Sequence, residues 1–140
     1  FTNKAKKLEQ LSSRYLLQIL VGEAHMKRFR KTESGMPYIE KGPMNISLSH
    51  NKNHSAVMVC EGQLCGIDIE TLHSRVKKIS HKFIGKNEQQ MITDTLETEI
   101  LMLLWSAKET VYKLYARKEI DFKEHIFLSD LQFTSEHAGQ

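Results

Sequence analysis

Between Lys4 and Leu20 the apolar residues Leu8, Leu11, Tyr15 and Ile19, widened by Leu16, recur at helical spacing. That pattern predicts an amphipathic helix ending at Gly22, with its apolar stripe facing a core and with Lys7 and Arg14 two turns apart on one flank. The rhythm then changes. Met26 to Arg30 is short and basic, Glu33-Ser34-Gly35-Met36-Pro37 reads as a turn, and Tyr38-Ile39 opens an extended piece. Met44 to Leu48 alternates apolar and polar residues, Ala56 to Cys60 is a continuous apolar run, and Leu64 to Ile69 is rich in β-formers, so three strands are expected, the last two parted by a turn at Glu61-Gly62.

Beyond Glu70 the pattern is helical through Val76, Ile79 and Phe83, with a break at Gly85-Lys86-Asn87 that offers Asn87 as a helix cap. The longest helix is expected from about Leu96 to about Tyr115, with Leu101, Leu104, Trp105, Val111, Tyr112 and Tyr115 along one apolar stripe. His125 to Phe133 alternates enough for a strand, and the last residues read as a frayed or truncated end. No sequence repeat or low-complexity linker stands out.

Composition narrows the picture. The chain has 140 residues, 40% hydrophobic and 26% charged, which suits one globular domain and excludes a disordered or membrane-embedded class. No apolar run approaches the roughly 20 residues needed to span a bilayer. Phe1 stands where a methionine would, without a charged-then-apolar leader, so a trimmed start, no export signal and a cytoplasmic protein are expected. Cys60 and Cys65 lack metal or redox spacing and read as free buried thiols. The formal charge of +3 favours anionic partners without choosing among a phosphorylated cofactor, an acidic protein and nucleic acid. Of the seven histidines, His50 and His54 fall in a loop after a strand, where a spacing of four does not converge on a metal; His54, His73, His81, His125 and His137 read as surface residues, and His25 carries no signal.

Candidate chemistry sits in two segments about forty residues apart. In Gly66-Ile67-Asp68-Ile69-Glu70 an extended strand would turn both carboxylates to one side and the isoleucines to the core, while Gly66 permits close approach of a backbone or ligand. Two such carboxylates suit a hard cation like magnesium, although acidic strand ends are also common without one. In Trp105-Ser106-Ala107-Lys108-Glu109-Thr110-Val111-Tyr112-Lys113, Glu109 and Lys113 share a helix face, a pattern that a plain surface ion pair also explains. Lys108 falls in the middle of the apolar stripe, where a lysine either snorkels to an edge or reaches an anionic ligand.

Taken together, the two segments resemble the signature of the 4'-phosphopantetheinyl transferase superfamily, whose members move the phosphopantetheine arm of coenzyme A onto a carrier-protein serine. Gly66 to Glu70 is similar to the first metal motif, and Trp105 to Lys113 to the aromatic, small, any, Lys-Glu, three residues, Lys motif. Upstream, Gly35-Met36-Pro37-Tyr38 and Asn45-Ile46-Ser47-Leu48-Ser49-His50 resemble the turn and the Ser-His strand of the longer, surfactin-synthetase-activating type. The resemblance runs to about Phe127.

It implies an α+β fold of two similar lobes, each a helix packed on a small antiparallel sheet, with lobes at 1–63 and 64–140 related by a pseudo-two-fold axis in a monomer. It implies magnesium bound by Asp68 and Glu109, with Glu70 as third ligand, and Lys113 and Lys108 on the coenzyme A side. Arg14 and His50 would meet the 3'-phosphate or pyrophosphate, Ser49 with Gly35 and Pro37 would shape the adenine end, and Glu88 would be the general base. The implied partners are coenzyme A and an acyl or peptidyl carrier protein, with no nucleic acid or membrane. Two departures stand out: Met36 replaces a lysine common between the glycine and proline of the turn, and the stretch after Lys113 lacks the usual glycines. The competing reading is a non-catalytic basic module that holds an acidic partner, or coenzyme A without turnover.

Overall fold

Strand alternation between residues 44 and 61 produces the central feature of the computed structural model, a hairpin of β3 (Met44–His50) and β4 (Ser55–Glu61) paired antiparallel from Met44↔Glu61 to His50↔Ser55. The structure describes residues 2–115, 119–129, 131, 133–135 and 138–139. Before this hairpin come α1 (Thr2–Val21), a single turn α2 (Glu23–Met26), and a short hairpin of β1 (Phe29–Lys31) and β2 (Pro37–Ile39) with Phe29 opposite Ile39 and Lys31 opposite Pro37. After it come α3 (Val76–Ile79), 3-10 turns at Ser80–Lys82 and Gln89–Met91, the long helix α4 (Glu97–Tyr115), and a small pair of β5 (Phe133–Ser135) with β6 (Ala138–Gly139). Helices and small antiparallel sheets make this an α+β arrangement, and no described helix is long and apolar enough to cross a membrane.

Two compact units are present. The first comprises residues 1–71 and 109–118, the second residues 72–108 and 119–140, a different division from the expected 1–63 and 64–140. The last two turns of α4 thus belong with the first unit, and its earlier residues with the second.

In the first unit, alternation along β3 separates two faces. Ile46 and Leu48, with Val57 and Val59 opposite them, pack with Leu17 of α1 and Ile39 of β2 in one core. Here the structure corrects the expected orientation of α1. Its buried residues are Ser13 and Leu17, whereas Leu8, Leu11, Tyr15 and Ile19 are exposed, Leu8 at 68% and Tyr15 at 66%. At 3.6 residues per turn the 13/17 face lies nearly opposite the 8/11/15/19 face. Small serines explain the choice: Ser12 and Ser55 share a hydrogen bond of 2.6 Å, and Ser13 lies 3.3 Å from His50 Nδ1, so α1 approaches β3–β4 closely on a polar seam with Leu17 as its apolar anchor.

The second unit has its own core of Val76, Phe83, Ile84, Ile100, Leu101, Met102 and Leu104. Trp105 packs edge-on against Phe83 and tilted against Phe122, with ring centroids 5.1 and 5.4 Å away. The long helix is found at Glu97–Tyr115, with Glu97 and Glu99 in its first turn complementing the helix dipole. Lys77 pairs with Glu97. Asn87 does not cap a helix; Glu88 bonds the Gly85 N–H instead, and a 3-10 turn follows. His125 to Ser129 is not a strand, and β5 begins only at Phe133; part of the expected frayed end lies outside the described residues.

Candidate active site

The face of β3 opposite α1 carries Ser47 and Ser49, both buried, and these two hydroxyls organise the first acidic segment. Residues 64–70 do not form the expected strand. Their backbone instead runs extended across the strand's face, with the Ile67 N–H donating to Ser47 Oγ at 3.1 Å and the Ile69 N–H to Ser49 Oγ at 3.2 Å. Serine hydroxyls thus replace a strand edge as acceptors, satisfying every second amide. Gly66 is required because α4 presses on it: a Cβ there would lie 2.3 Å from the Thr110 carbonyl oxygen and 3.2 Å from the Leu114 nitrogen.

Asp68 consequently reaches the end of α4. Its side chain is 4% exposed, and Oδ1 accepts hydrogen bonds from Ser49 Oγ at 2.9 Å and Lys113 Nζ at 2.7 Å. Lys113 also donates to Ser49 Oγ at 3.0 Å, so this hydroxyl donates once and accepts twice. Lys113 therefore bonds Asp68 rather than pairing first along the helix with Glu109. Glu109 is half-buried; burial holds its pKa above the ordinary carboxylate value, Lys113 opposes this, and the charges of Asp68 and Glu70 add to the rise. Lys113, Asp68 and Glu70 thus all act electrostatically on Glu109.

Three carboxylates are hard oxygen donors, the type a magnesium ion takes. Among the described residues they are not drawn into a ready cluster of three ligands, and the Lys113 ammonium supplies the positive charge at Asp68. The donor chemistry fits the ion.

Two adjoining clefts open beside β3, sharing Gly35, Pro37 and Leu48. One, about 200 Å³, is lined by Met36, Ser47, Tyr112 and Lys113 among others. The second, about 120 Å³, brings together Arg14, His50 and Lys31. Gly35 adopts φ +87°, a conformation that favours glycine, at the turn joining β1 to β2. Arg14 lies over the Phe29 ring, 5.3 Å from its centroid. Arg14, His50, Gly35 and Pro37, expected at the nucleotide end, therefore meet in one cleft. Ser49, expected with them, sits instead at the Asp68–Lys113 pair. Lys31, Phe29 and Ser47 were missed: Phe29 lay in a stretch read only as basic, Lys31 fell between that stretch and the following turn, and Ser47 carries no signal until its strand face is known.

Glu88 and Lys108 meet in the second unit, but with each other. Lys108 is 0% exposed, and its ammonium donates to Glu88 Oε2 at 2.6 Å, Phe83 O at 2.6 Å and Phe122 O at 2.9 Å. Glu88, 1% exposed, accepts from the Gly85 N–H on Oε2 at 2.8 Å and from the Leu128 N–H on Oε1 at 3.0 Å. Lys108, expected on the coenzyme A side, thus has its ammonium held by Glu88 and two backbone carbonyls. Glu88, expected as the general base, has both carboxylate oxygens hydrogen-bonded inside the protein.

The histidines and cysteines remain in the background. His54, His73, His81 and His125 are exposed, and His137 lies outside the described residues. Cys60 and Cys65 are free; burial and its neighbour Cys60 push the Cys65 thiol up to about 11, so it stays protonated and weakly reactive.

No curated protein matches the chain. The family model of the 4'-phosphopantetheinyl transferase superfamily matches residues 64–140, more than half of the sequence, and spans both Gly66–Glu70 and Trp105–Lys113. Carrying the two segments that the Asp68–Lys113 ion pair joins, the chain belongs to the 4'-phosphopantetheinyl transferase superfamily.

Proposed function

We propose that the protein transfers the 4'-phosphopantetheinyl group of coenzyme A to a serine of an acyl or peptidyl carrier protein, releasing 3',5'-ADP, in a magnesium-dependent reaction. The observation that carries this reading is the joining of Asp68, Ser49 and Lys113, with Glu109 coupled to them, at the motifs that the family model covers. The longer, two-lobed type is supported by the upstream residues Arg14, Gly35, Pro37 and His50 lining one cleft. A cytoplasmic monomer is part of the same reading.

In the reaction the serine oxygen forms a bond to the β-phosphorus, its proton passes to water, and the bond between that phosphorus and the bridging oxygen breaks. The leaving oxygen stays on 3',5'-ADP. Asp68, Glu70 and Glu109 would hold magnesium, which when bound supplies positive charge to the pyrophosphate. Lys113, a quarter exposed, is placed to donate to a pyrophosphate oxygen on exchanging its bond to Asp68. Ser49 keeps the carboxylate of Asp68 oriented during that exchange. His50 and Arg14 would hold the nucleotide end.

The test is mass spectrometry of an apo acyl carrier protein incubated with the protein, coenzyme A and magnesium, beside an Asp68→Ala control. Gain of the phosphopantetheine mass, lost in the control, is expected. An unmodified carrier across acyl and peptidyl types would refute transfer and favour binding without turnover.

A further inference from the structure

The chain's two cysteines meet on the face of β3–β4 that carries the acidic segment. Alternation along β4 sends Val57 and Val59 into the core under α1, so Met58 and Cys60 lie on the opposite face, paired with Ser47 and Asn45 of β3. The chain then turns at Gly62, which has φ +69° and donates its N–H to the Pro43 carbonyl at 3.0 Å, and comes back over that face. Cys65 returns with it. Its thiol, on a residue 6% exposed, donates to the Met58 carbonyl at 3.8 Å and lies within hydrogen-bonding reach of the Cys60 sulfur. Cys60 is half-buried, so a reagent from solvent reaches it while Cys65 stays covered.

Cys65 also adjoins Gly66, where α4 leaves no room for a methyl group, and the amides of Ile67 and Ile69 that follow are held by the Ser47 and Ser49 hydroxyls. Drawing residue 65 toward β4 therefore pulls on a backbone pinned at Gly66, and the strain falls on the two serine-accepted hydrogen bonds that flank Asp68. We propose that Cys60 and Cys65 form an oxidative modification site for a low-molecular-weight disulfide of the glutathione kind, and that the Cys60–Cys65 bond so formed loosens the acidic segment from Ser47 and Ser49 and lowers transfer. In the first step Cys60 gives its proton to water and its sulfur bonds to one sulfur of the reagent, whose S–S bond breaks; the thiolate released regains a proton. In the second, Cys65 gives up its proton, its sulfur bonds to Cys60 Sγ, and the other half of the reagent leaves as a thiol. Two protein thiols are oxidised, and one disulfide is reduced to two thiols. Burial, which keeps the Cys65 thiol protonated, makes the second step the slow one. The loss of transfer rests on the transferase reading; the thiol site rests on the two sulfurs.

The test is incubation of the whole protein with oxidised glutathione, then alkylation of the remaining thiols and peptide mass spectrometry, for the wild type, Cys60→Ser and Cys65→Ser. The wild type is expected to form one internal link that dithiothreitol reverses, Cys65→Ser to stop at one glutathione on Cys60, and Cys60→Ser to stay unmodified. Amide hydrogen exchange at Ile67 and Ile69 is expected to quicken about tenfold in the oxidised wild type, the worth of one hydrogen bond, and to slow again on reduction. A wild type that keeps both thiols, or stops at a glutathione adduct, overturns the proposal, and so does an internal link that leaves this exchange unchanged. Both readouts are taken on the wild type, so they decide even where a serine variant fails to fold. Carrier modification, with an S-alkylated coenzyme A so that no donor thiol reduces the link, separates the two readings. Transfer is expected to fall on the order of tenfold on oxidation and to recover with dithiothreitol. Equal transfer by the oxidised and reduced forms keeps the function and overturns this inference. A reversible link with quickened exchange, but no transfer in either form, refutes the transferase and leaves the thiol site standing.

Discussion

Replacing Glu88 by Gln separates a structural carboxylate from a catalytic one. Among the described residues five hydrogen bonds converge on the Glu88–Lys108 pair, joining α4 to the backbone at Phe83, Gly85, Phe122 and Leu128, with both charged side chains buried. A glutamine has one acceptor oxygen where the carboxylate has two, so its amide group must face the Lys108 ammonium or a backbone N–H, donor against donor. Lys108→Met is the converse: the Glu88 charge loses its counter-ion, and the carbonyls of Phe83 and Phe122 lose a donor. Removing one partner of a buried pair costs about 3–5 kcal/mol, which in a chain of this size lowers Tm on the order of 10 °C. The double variant Lys108→Met with Glu88→Leu removes both charges together and is expected to cost less than the sum of Lys108→Met and Glu88→Leu by about 1 kcal/mol or more. Urea unfolding measures each stability, and carrier modification at a temperature where all variants are folded measures kcat. If Glu88→Gln unfolds at the wild-type urea midpoint while kcat collapses, the enclosed-pair reasoning is wrong and Glu88 is the base.

Gly66→Ala forces a methyl against the Thr110 carbonyl at 2.3 Å, so the acidic segment or the end of α4 must shift; a loss of about 1–3 kcal/mol by thermal unfolding, with reduced transfer because Asp68 is two residues away, is expected, and a variant identical to the wild type would contradict the packing. For Glu109 the sign follows from a raised folded pKa: the protonated form is favoured in the fold, its contribution is present below the unfolded value of about 4.3, and it is lost as pH rises through the folded value. Glu109→Gln, neutral at every pH, is therefore expected to melt above the wild type at pH 7 in metal-free buffer and to converge with it in acid; a pH-independent difference would refute this.

Much of the fold was legible wherever one periodicity ruled. β3, β4 and α4 lie close to where alternation and the helical stripe put them, although Met58 in the apolar run of β4 and Tyr115 at the end of the α4 stripe are exposed. α1 was legible as a helix but not in orientation, since its apolar stripe is stronger than the Ser12–Ser13–Leu17 face it actually buries, and serines give no hydrophobic signal. Residues 64–70 have strand composition, yet their amides are taken by Ser47 and Ser49, acceptors that secondary-structure patterns ignore. Asp68 and Lys113 could be paired on paper only through the family resemblance, as 45 residues separate them. Lys108 was conspicuous mid-stripe, but its partner Glu88, 20 residues upstream, sits in a turn whose geometry no periodicity describes.

The organisation of the first unit comes down to the two faces of β3. His50 points with Ile46 and Leu48 to the side of α1, where Ser13 holds it near Arg14 and Lys31, while Ser47 and Ser49 point the other way and hold the backbone of the segment carrying Asp68. Neighbouring residues 49 and 50 thus commit adjacent positions of one strand to different tasks, the acidic pair on one face and the basic cleft on the other. A one-residue slip of β3 against β4 would exchange these faces, sending serines into the core and Leu48 toward Asp68, so correct chemistry depends on strand register. That register is enforced by Ile46 and Leu48 packing with Val57, Val59 and Leu17, which have no partners in the slipped arrangement. The core under α1 and the site beyond it are therefore selected together: a sequence that buries Ile46 and Leu48 correctly has already aimed Ser49 at Asp68 and His50 at Arg14.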